Sequence, residues 1–270
     1  MKRKYLFIPA LTVLFAVFIL ASIPEGAVFG SHTDWLSQHV TLAETIRNAC
    51  LEQRTLLPSW IELGGGSNGY MFSYYGFLRP DILIGCLLPH TAMLHILTGY
   101  MLATYLASAL LCFVWLRSED IRPTFAFMGS VLFMTAGCLF HMHRQIMFVN
   151  YLPFLLAAFL CIRRKYIKLL PLFLCLICLS SFYFSISAFA AVGWYWYWKE
   201  TRKRSFFHHY AQTVFIAVGM SAALLIPTGL VLMEHRRSGT GATLLSVLEL
   251  FGPNPAMNNI LFNEYGIGLS

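Results

Sequence analysis

The chain has 270 residues, of which 58% are hydrophobic, 16% are aromatic and only 11% are charged. A mean hydropathy of +0.65 excludes an ordinary soluble globule and indicates a membrane protein, in which about 20 apolar residues form one helical span. The net charge of +7 is concentrated beside apolar runs, so we attribute it to contact with anionic lipid rather than with nucleic acid.

Six apolar runs set the expected fold class. They cover residues 5–23, 91–116, 123–140, 146–162, 169–198 and 211–233. Helices are the expected form, because an isolated strand would leave its backbone groups unpaired in lipid. The sequence therefore predicts an all-α fold, a polytopic transmembrane helix bundle with outer loops at residues 24–90 and 234–270.

The placement of basic residues predicts the orientation of the chain. Thirteen of the 19 Lys and Arg residues fall on one side of the predicted spans, including the clusters at residues 163–168 and 199–204. Under the positive-inside rule, this side faces the cytoplasm. We therefore expect a multi-pass protein with a cytoplasmic N-terminus and with residues 24–90 outside.

Two runs allow more than one interpretation. Residues 169–198 have basic clusters at both ends, and a single helix of that length, about 45 Å, would place one cluster outside. A hairpin of two helices that turns near Ser180 and Ser181 keeps both clusters inside, and we favour it. Residues 1–23 have the charge pattern of a secretory signal, but no small-residue cleavage site follows, so we interpret the first run as a retained anchor.

The first outer loop is predicted to carry an interfacial helix over residues 34–50. Its apolar side consists of Trp35, Leu36, Val40, Leu42 and Ile46. Asp34 and Gln38 lie four residues apart and therefore share another face. Ser31 or Thr33 can cap the start of this helix.

Asp34 is the candidate catalytic residue, because so few other charges compete for a chemical role just outside the membrane. A carboxylate there can act as a general base. The alternatives are a helix cap and an ion pair with Arg79. Arg144, at the outer end of the third run, is a further candidate for binding phosphate.

Two further features of this loop have both a functional and a structural interpretation. The glycines of residues 64–66, followed by Asn68, form either a ligand-binding loop or a flexible turn. They lack the Lys of a nucleotide phosphate-binding loop. Tyr74 and Tyr75 can stack on sugar rings or belong to an interfacial aromatic belt.

Taken in order, these motifs resemble those of a known family. The order is an N-terminal span, D-x-x-x-Q (Asp34, Gln38), L-P-x-W (Leu57, Pro58, Trp60), G-x-G-x-N (Gly64, Gly66, Asn68), the Tyr pair and R-P-D (Arg79, Pro80, Asp81). Later segments agree, at residues 180–183 and from Pro227 to Arg237. The chain resembles the bacterial YfhO family of multispanning membrane proteins and, through it, the GT-C glycosyltransferase architecture.

The resemblance implies a function. In the GT-C architecture a carboxylate of the first outer loop serves a sugar bound to polyprenyl phosphate. The chain would then be a glycosyltransferase of the bacterial cytoplasmic membrane. It would transfer a sugar from that donor to a cell-envelope polymer or glycolipid, such as teichoic acid. No cofactor is expected, and the absence of a D-x-D pair leaves dependence on a divalent metal open.

The resemblance also implies roles for individual residues. Asp34 would be the catalytic base. The expected substrate-binding residues are Gln38, Gly64, Gly66, Asn68, Tyr74, Tyr75, Arg79, Arg236 and Arg237, with the Arg side chains holding phosphate oxygens. No metal ligand is predicted, since His141 and His143 have no carboxylate or Cys near them in sequence.

Other functions stay open at this point. A transporter or flippase of a lipid-linked saccharide is one alternative, although the predicted spans hold essentially no ionisable residues. A non-catalytic scaffold for envelope assembly is the other. We also expect the chain to be the N-terminal part of a longer protein. The sequence does not decide whether Cys50 and Cys86 in the outer loop form a disulfide.

Overall fold

The computed structural model describes residues 6–24, 27, 29–31, 34–201 and 203–234. Most of this part is helical and only four of its residues are in strands, which confirms the all-α prediction. The α-helices are α1 (Phe7–Ser22), α2 (Thr41–Glu52), α3 (Pro80–Leu87), α4 (Met93–Ser118), α5 (Pro123–Thr135), α6 (Gly137–His143), α7 (Ile146–Val149), α8 (Leu152–Arg163), α9 (Leu170–Ser180), α10 (Phe182–Lys199), α11 (Lys203–Met220) and α12 (Ala222–Glu234).

Shorter elements complete the described part. A π-helical turn spans Trp35–Val40, and 3-10 helices span Gly69–Tyr75 and Ile167–Leu169. Strands β1 (Trp60–Ile61) and β2 (Ser67–Asn68) form a small antiparallel hairpin, in which Trp60 pairs with Asn68 and Ile61 with Ser67.

By length and composition, α4 alone among the described helices can cross a membrane, and up to three crossings result if α5–α6 and α11–α12 each count as one bent span. Shorter apolar helices occupy the first, fourth and fifth predicted runs. Large apolar side chains such as Val17 on α1, Ile186 on α10 and Phe215 on α11 are exposed, as expected of lipid-facing surfaces. The number of spans and the GT-C arrangement stay predictions.

Four predicted runs are interrupted. The run at 146–162 is divided at residues 150–151 into α7 and α8. The run at 123–140 bends by 53° between α5 and α6, at the extended residue Ala136. The run at 211–233, which we expected to be one helix, is divided at Ser221 into α11 and α12, which meet at 78°. Ser221 Oγ donates to the carbonyl of Ala217, a back-bond that often bends helices. The long run at 169–198 breaks at Ser181, and α9 and α10 pack against each other.

The described helices surround two apolar cores. The first joins α1 and α4 to the outer loop and contains Leu11, Trp35, Phe77, Leu97 and Tyr105. The second lies among α8, α9, α10 and α11 and includes Leu174, Val192, Trp196 and Phe206. The first core fixes the outer loop against α1 and α4, and this packing positions the candidate site.

The start of the predicted interfacial helix differs from expectation. Asp34 O accepts bonds from both Gln38 N and His39 N, at 2.9 Å each, so the first turn is wider than an α-helical turn. This shift turns Leu36 outward, with 58% of its surface exposed, while Trp35 and His39 are buried. The apolar side predicted from α-helical spacing is therefore wrong at Leu36, because a π turn changes the phase of the helix.

A charged cluster lies at the opposite end of the molecule. Glu119, just after α4, pairs with Lys199 at the end of α10 and lies 3.8 Å from Arg163 at the end of α8. Arg163 also pairs with Asp120 at 2.8 Å. The first residues of both basic clusters, 163–168 and 199–204, therefore contact the same carboxylate. This geometry supports a hairpin of α9 and α10.

Candidate functional site

Asp34 stands at the start of the π turn, where its position is set by a cap. Ser31 Oγ accepts from the backbone N–H of Asp34 at 3.2 Å and of Trp35 at 3.1 Å. Ser31 thus fills the capping role expected of Ser31 or Thr33. The Asp34 side chain is half-buried.

Two amide side chains hold the Asp34 carboxylate. Gln38 Nε2 donates to Oδ1 at 2.9 Å, as the four-residue spacing suggested. Gln145 Nε2 donates to Oδ2 at 3.3 Å from the segment after α6. No ion pair to Asp34 is present in the described part of the chain, and in particular Arg79 pairs elsewhere. The carboxylate is thus positioned by neutral donors.

Tyr75 extends this arrangement. Its hydroxyl donates to Gln38 Oε1 at 3.1 Å, which fixes the orientation of the Gln38 amide. Burial raises the pKa of Tyr75, and the nearby Asp34 charge raises it further, so the phenol stays a donor at neutral pH. Asp34, Gln38, Tyr75 and Gln145 form the Asp34 site, four residues from three separate parts of the chain.

A buried imidazole lies behind the site. His39 is 2% exposed, and its ring lies 6.1 Å from that of Trp35 and 6.0 Å from that of Tyr75. Burial, reinforced by the positive charge of Arg79, lowers the pKa of His39 to about 4. His39 is therefore neutral at physiological pH and packs as an aromatic side chain.

Tyr74 leads from the Asp34 site to α10. Its ring is 5.5 Å from Tyr75 and contacts Phe182 and Tyr183 edge-on, at 6.0 and 6.5 Å between centroids. Tyr183 is 65% exposed. The break at Ser181 is what brings these two aromatics to the outer loop. The result is a partly open aromatic surface beside the carboxylate.

Arg79 is enclosed rather than presented to the site surface. Its Nε and Nη2 donate to the two carboxylate oxygens of Asp81, at 2.6 and 2.7 Å. Both side chains are almost fully buried, at 1% and 0% exposure, and Nη1 has no hydrogen-bond partner in the described residues. The geometry gives Arg79 a structural contact, and its expected role in substrate binding stays a prediction.

The Gly-rich segment is the turn of the β1–β2 hairpin. Gly64, Gly65 and Gly66 all have positive φ, and Gly66 lies against the Trp60 ring, where an added Cβ would come within 2.6 Å. Asn68 Oδ1 accepts from Tyr70 N at 3.0 Å and so caps the next 3-10 helix. No hydrogen bond joins this turn to Asp34 in the described residues.

An apolar cavity of about 550 Å³ opens next to Asp34, at the end of α1. Ile23, Phe29, Trp35 and Phe140 provide much of its wall, and its polar side chains are those of Ser22, Ser31 and Arg144. Arg144 Nε donates to Gly30 O at 2.6 Å, and no carboxylate pairs with Arg144 among the described residues. The cavity therefore combines a hydrocarbon surface with one cation.

Arg236 and Arg237 are outside the described residues, so their expected roles in substrate binding stay predictions. No group of three or more His, Cys, Asp or Glu side chains that could hold a metal ion occurs in the described ranges.

The sequence did not predict Gln145, His39 or the loop-facing position of Tyr183 as parts of the site. For Gln145, the polar pair Arg144–Gln145 after an apolar run was the available signal.

Comparison with known proteins identifies the family. The sequence model described as "Bacterial membrane protein YfhO" matches residues 5–265. The chain belongs to the YfhO family. No curated protein and no solved structure matches it. The resemblance inferred from the outer-loop motifs is confirmed, and the chain is a bacterial membrane protein of this family.

Proposed function

We propose that this YfhO protein is a membrane glycosyltransferase with Asp34 as its general base. It would move a sugar from a polyprenyl-phosphate donor to an extracytoplasmic acceptor such as teichoic acid or a glycolipid. The observation that carries the proposal is the Asp34 carboxylate, which is held at both oxygens by Gln38 and Gln145 but is not neutralised by a described cation.

The carboxylate has capacity left for a substrate. A carboxylate offers about four lone-pair sites, and the two amide bonds use two of them. An acceptor hydroxyl can therefore donate to Asp34 and pass its proton to it. The acceptor oxygen then bonds to the anomeric carbon, the bond from that carbon to the phosphate oxygen breaks, and polyprenyl phosphate leaves with the electron pair.

The cavity beside Asp34 supports the assignment of the donor. Its apolar wall suits a prenyl chain, and Arg144 suits a phosphate, since guanidinium groups hold phosphate oxygens by charge-assisted bonds. Because Ser31 and Trp35 line the cavity and flank Asp34, a donor bound there would place its sugar close to the base. Tyr74, Tyr75 and the exposed Tyr183 would then stack on sugar rings.

The test is Asp34→Asn in the full-length protein expressed in its native host. Asparagine keeps the size and one acceptor oxygen but cannot take a proton at neutral pH. We expect sugar incorporation into envelope polymer to fall by a factor of about 10² to 10⁴, the usual value of general-base catalysis. Asp34→Glu should retain a small activity, because the carboxylate survives at a shifted position.

Glu62→Gln is the matched control, since Glu62 is an exposed carboxylate of the same loop. Sugar incorporation by Glu62→Gln should be unchanged. Blotting should show equal amounts of the Asp34→Asn, Asp34→Glu and Glu62→Gln proteins. Near-normal incorporation by Asp34→Asn would reject the transferase mechanism. A transporter of a lipid-linked saccharide or a non-catalytic scaffold would then explain the protein better than a transferase.

A further inference from the structure

Two of the seven cysteines lie in the outer loop, on helices that pack against each other. Cys50 is on the buried face of α2 and is 5% exposed, and Cys86 is near the end of α3 and half-buried. The other five cysteines are on α4, α6, α8 and α9. The pair in the loop is not used by the Asp34 site.

The packing of α2 on α3 fixes which residues meet. Arg47 lies one turn before Cys50 on α2. Its side chain packs on Gly85 of α3, where an added Cβ would lie 3.2 Å from Arg47 Cδ. Arg47 Nη1 also donates to Thr91 O at 2.5 Å, beyond the end of α3. The face of α2 that carries Arg47 and Cys50 is thus seated on Gly85 and Cys86.

Cys50 belongs to the first apolar core, and Cys86 packs against that core from the neighbouring helix. The two thiols lie close enough for each to alter the ionisation of the other. Burial raises the pKa of both thiols, that of Cys50 to about 12. The charge of Arg47 opposes this rise at Cys86. Cys86 is therefore the more accessible of the two, and the nearby Arg47 charge favours its thiolate.

We propose that Cys50 and Cys86 form a disulfide that closes residues 50–86 into a covalent ring. The proposal depends on the outer location of this loop, where disulfides form and persist. It does not depend on the transferase function. The ring would enclose the Gly-rich turn, the 3-10 helix with Tyr74 and Tyr75, and the Arg79–Asp81 pair.

The oxidant would be a disulfide carrier on the outer side of the membrane. The Cys86 thiolate attacks the carrier disulfide, which gives a mixed disulfide and releases one carrier thiolate. Cys50 then attacks the Cys86 sulfur, loses its proton, and releases the second carrier thiol. Two electrons pass to the carrier, which leaves as a dithiol, and one S–S bond forms in the protein.

Trypsin provides a direct test. Between Cys50 and Cys86, trypsin can cut after Arg54 alone, because the one other basic residue, Arg79, precedes a proline. Cells would be treated with a thiol-alkylating reagent before lysis, and the full-length protein would then be denatured and digested. We expect peptides 48–54 and 55–117 to be joined without reductant and about 2 Da lighter than their sum. With reductant they should separate.

Peptide 55–117 also contains Cys112, so two variants are needed. Cys112→Ser should keep the linked species, and Cys86→Ser should lose it. The proposal is overturned if the peptides separate without reductant and both thiols carry the alkylating label. It is equally overturned if Cys112→Ser loses the linkage and Cys86→Ser keeps it.

Discussion

Arg79 and Asp81 fix the outer loop from within. Two charged side chains at 1% and 0% exposure have lost their water, and only their mutual bidentate contact compensates for that loss. Gly76 packs closely on the Arg79 guanidinium, because a Cβ added at Gly76 would lie 3.2 Å from Arg79 Cζ. The pair therefore holds the loop directly after Tyr75, and so indirectly holds Gln38 and Asp34.

We predict that Arg79→Gln destabilises the protein by about 3–5 kcal/mol, because it leaves the Asp81 charge buried without a partner. The free energy of unfolding would be compared in detergent with that of Arg54→Gln, an exposed Arg of the same loop. The control should lie within about 0.5 kcal/mol of the unmodified protein. Equal stability of the two variants would contradict a structural role for the pair.

Single residues of the Asp34 site differ in how far sequence could predict them. Gln38 was predictable, because residues four apart share a helical face. Gln145 was not, since it lies 111 residues further along the chain and only the packed helices bring it to Asp34. The burial of Arg79 could not be predicted either, because it also depends on how distant segments pack. Asp81 was recognised in the sequence only as part of the R-P-D motif, and its ion pair with Arg79 was not predicted.

At the scale of elements, the β1–β2 turn depends on its glycines unequally. Gly64 has φ of 60° and open space around it, whereas Gly66 has φ of 109° and lies against Trp60. We predict that Gly66→Ala is at least about 1 kcal/mol less stable than Gly64→Ala, because it adds a steric overlap to backbone strain. Thermal unfolding of both variants in detergent would measure the difference. Equal midpoints would show that Trp60 moves aside freely.

The helix breaks also separate what sequence predicts from what it does not. The break at Ser181 was predicted, because a single helix over this run of 30 residues would place one of its two flanking basic clusters outside. The bends at Ala136 and Ser221 were not, since runs of ordinary span length give no reason to divide them. The π turn at Trp35 was missed, because its extra residue per turn leaves no compositional signal.

At the scale of the whole molecule, α10 connects two chemically different ends. It begins with Phe182 against Tyr74 and ends with Lys199 on Glu119. Its 18 residues are about 27 Å long, close to the thickness of a bilayer core. The Asp34 site and the basic clusters therefore lie at opposite ends of the described bundle. This separation supports the predicted orientation.

Cysteine labelling in intact cells tests that orientation. We predict that an impermeant thiol reagent labels Ser67→Cys and does not label Thr201→Cys, because we expect the loop at residues 24–90 to face outside. The unmodified protein gives the background from the native cysteines, and permeabilised cells should label both variants. Labelling of Thr201→Cys without labelling of Ser67→Cys would reverse the topology.

The bond from Gln145 to Asp34 has a consequence for synthesis. Proteins leave the ribosome N-terminus first, so Asp34 and Gln38 are made long before Gln145. Until α6 and Gln145 have been made, the Asp34 carboxylate has only one of its two amide donors, and Phe140 does not yet line the cavity. The site is therefore completed late, and a nascent chain that stops before residue 145 carries Asp34 without the amide that holds its second oxygen.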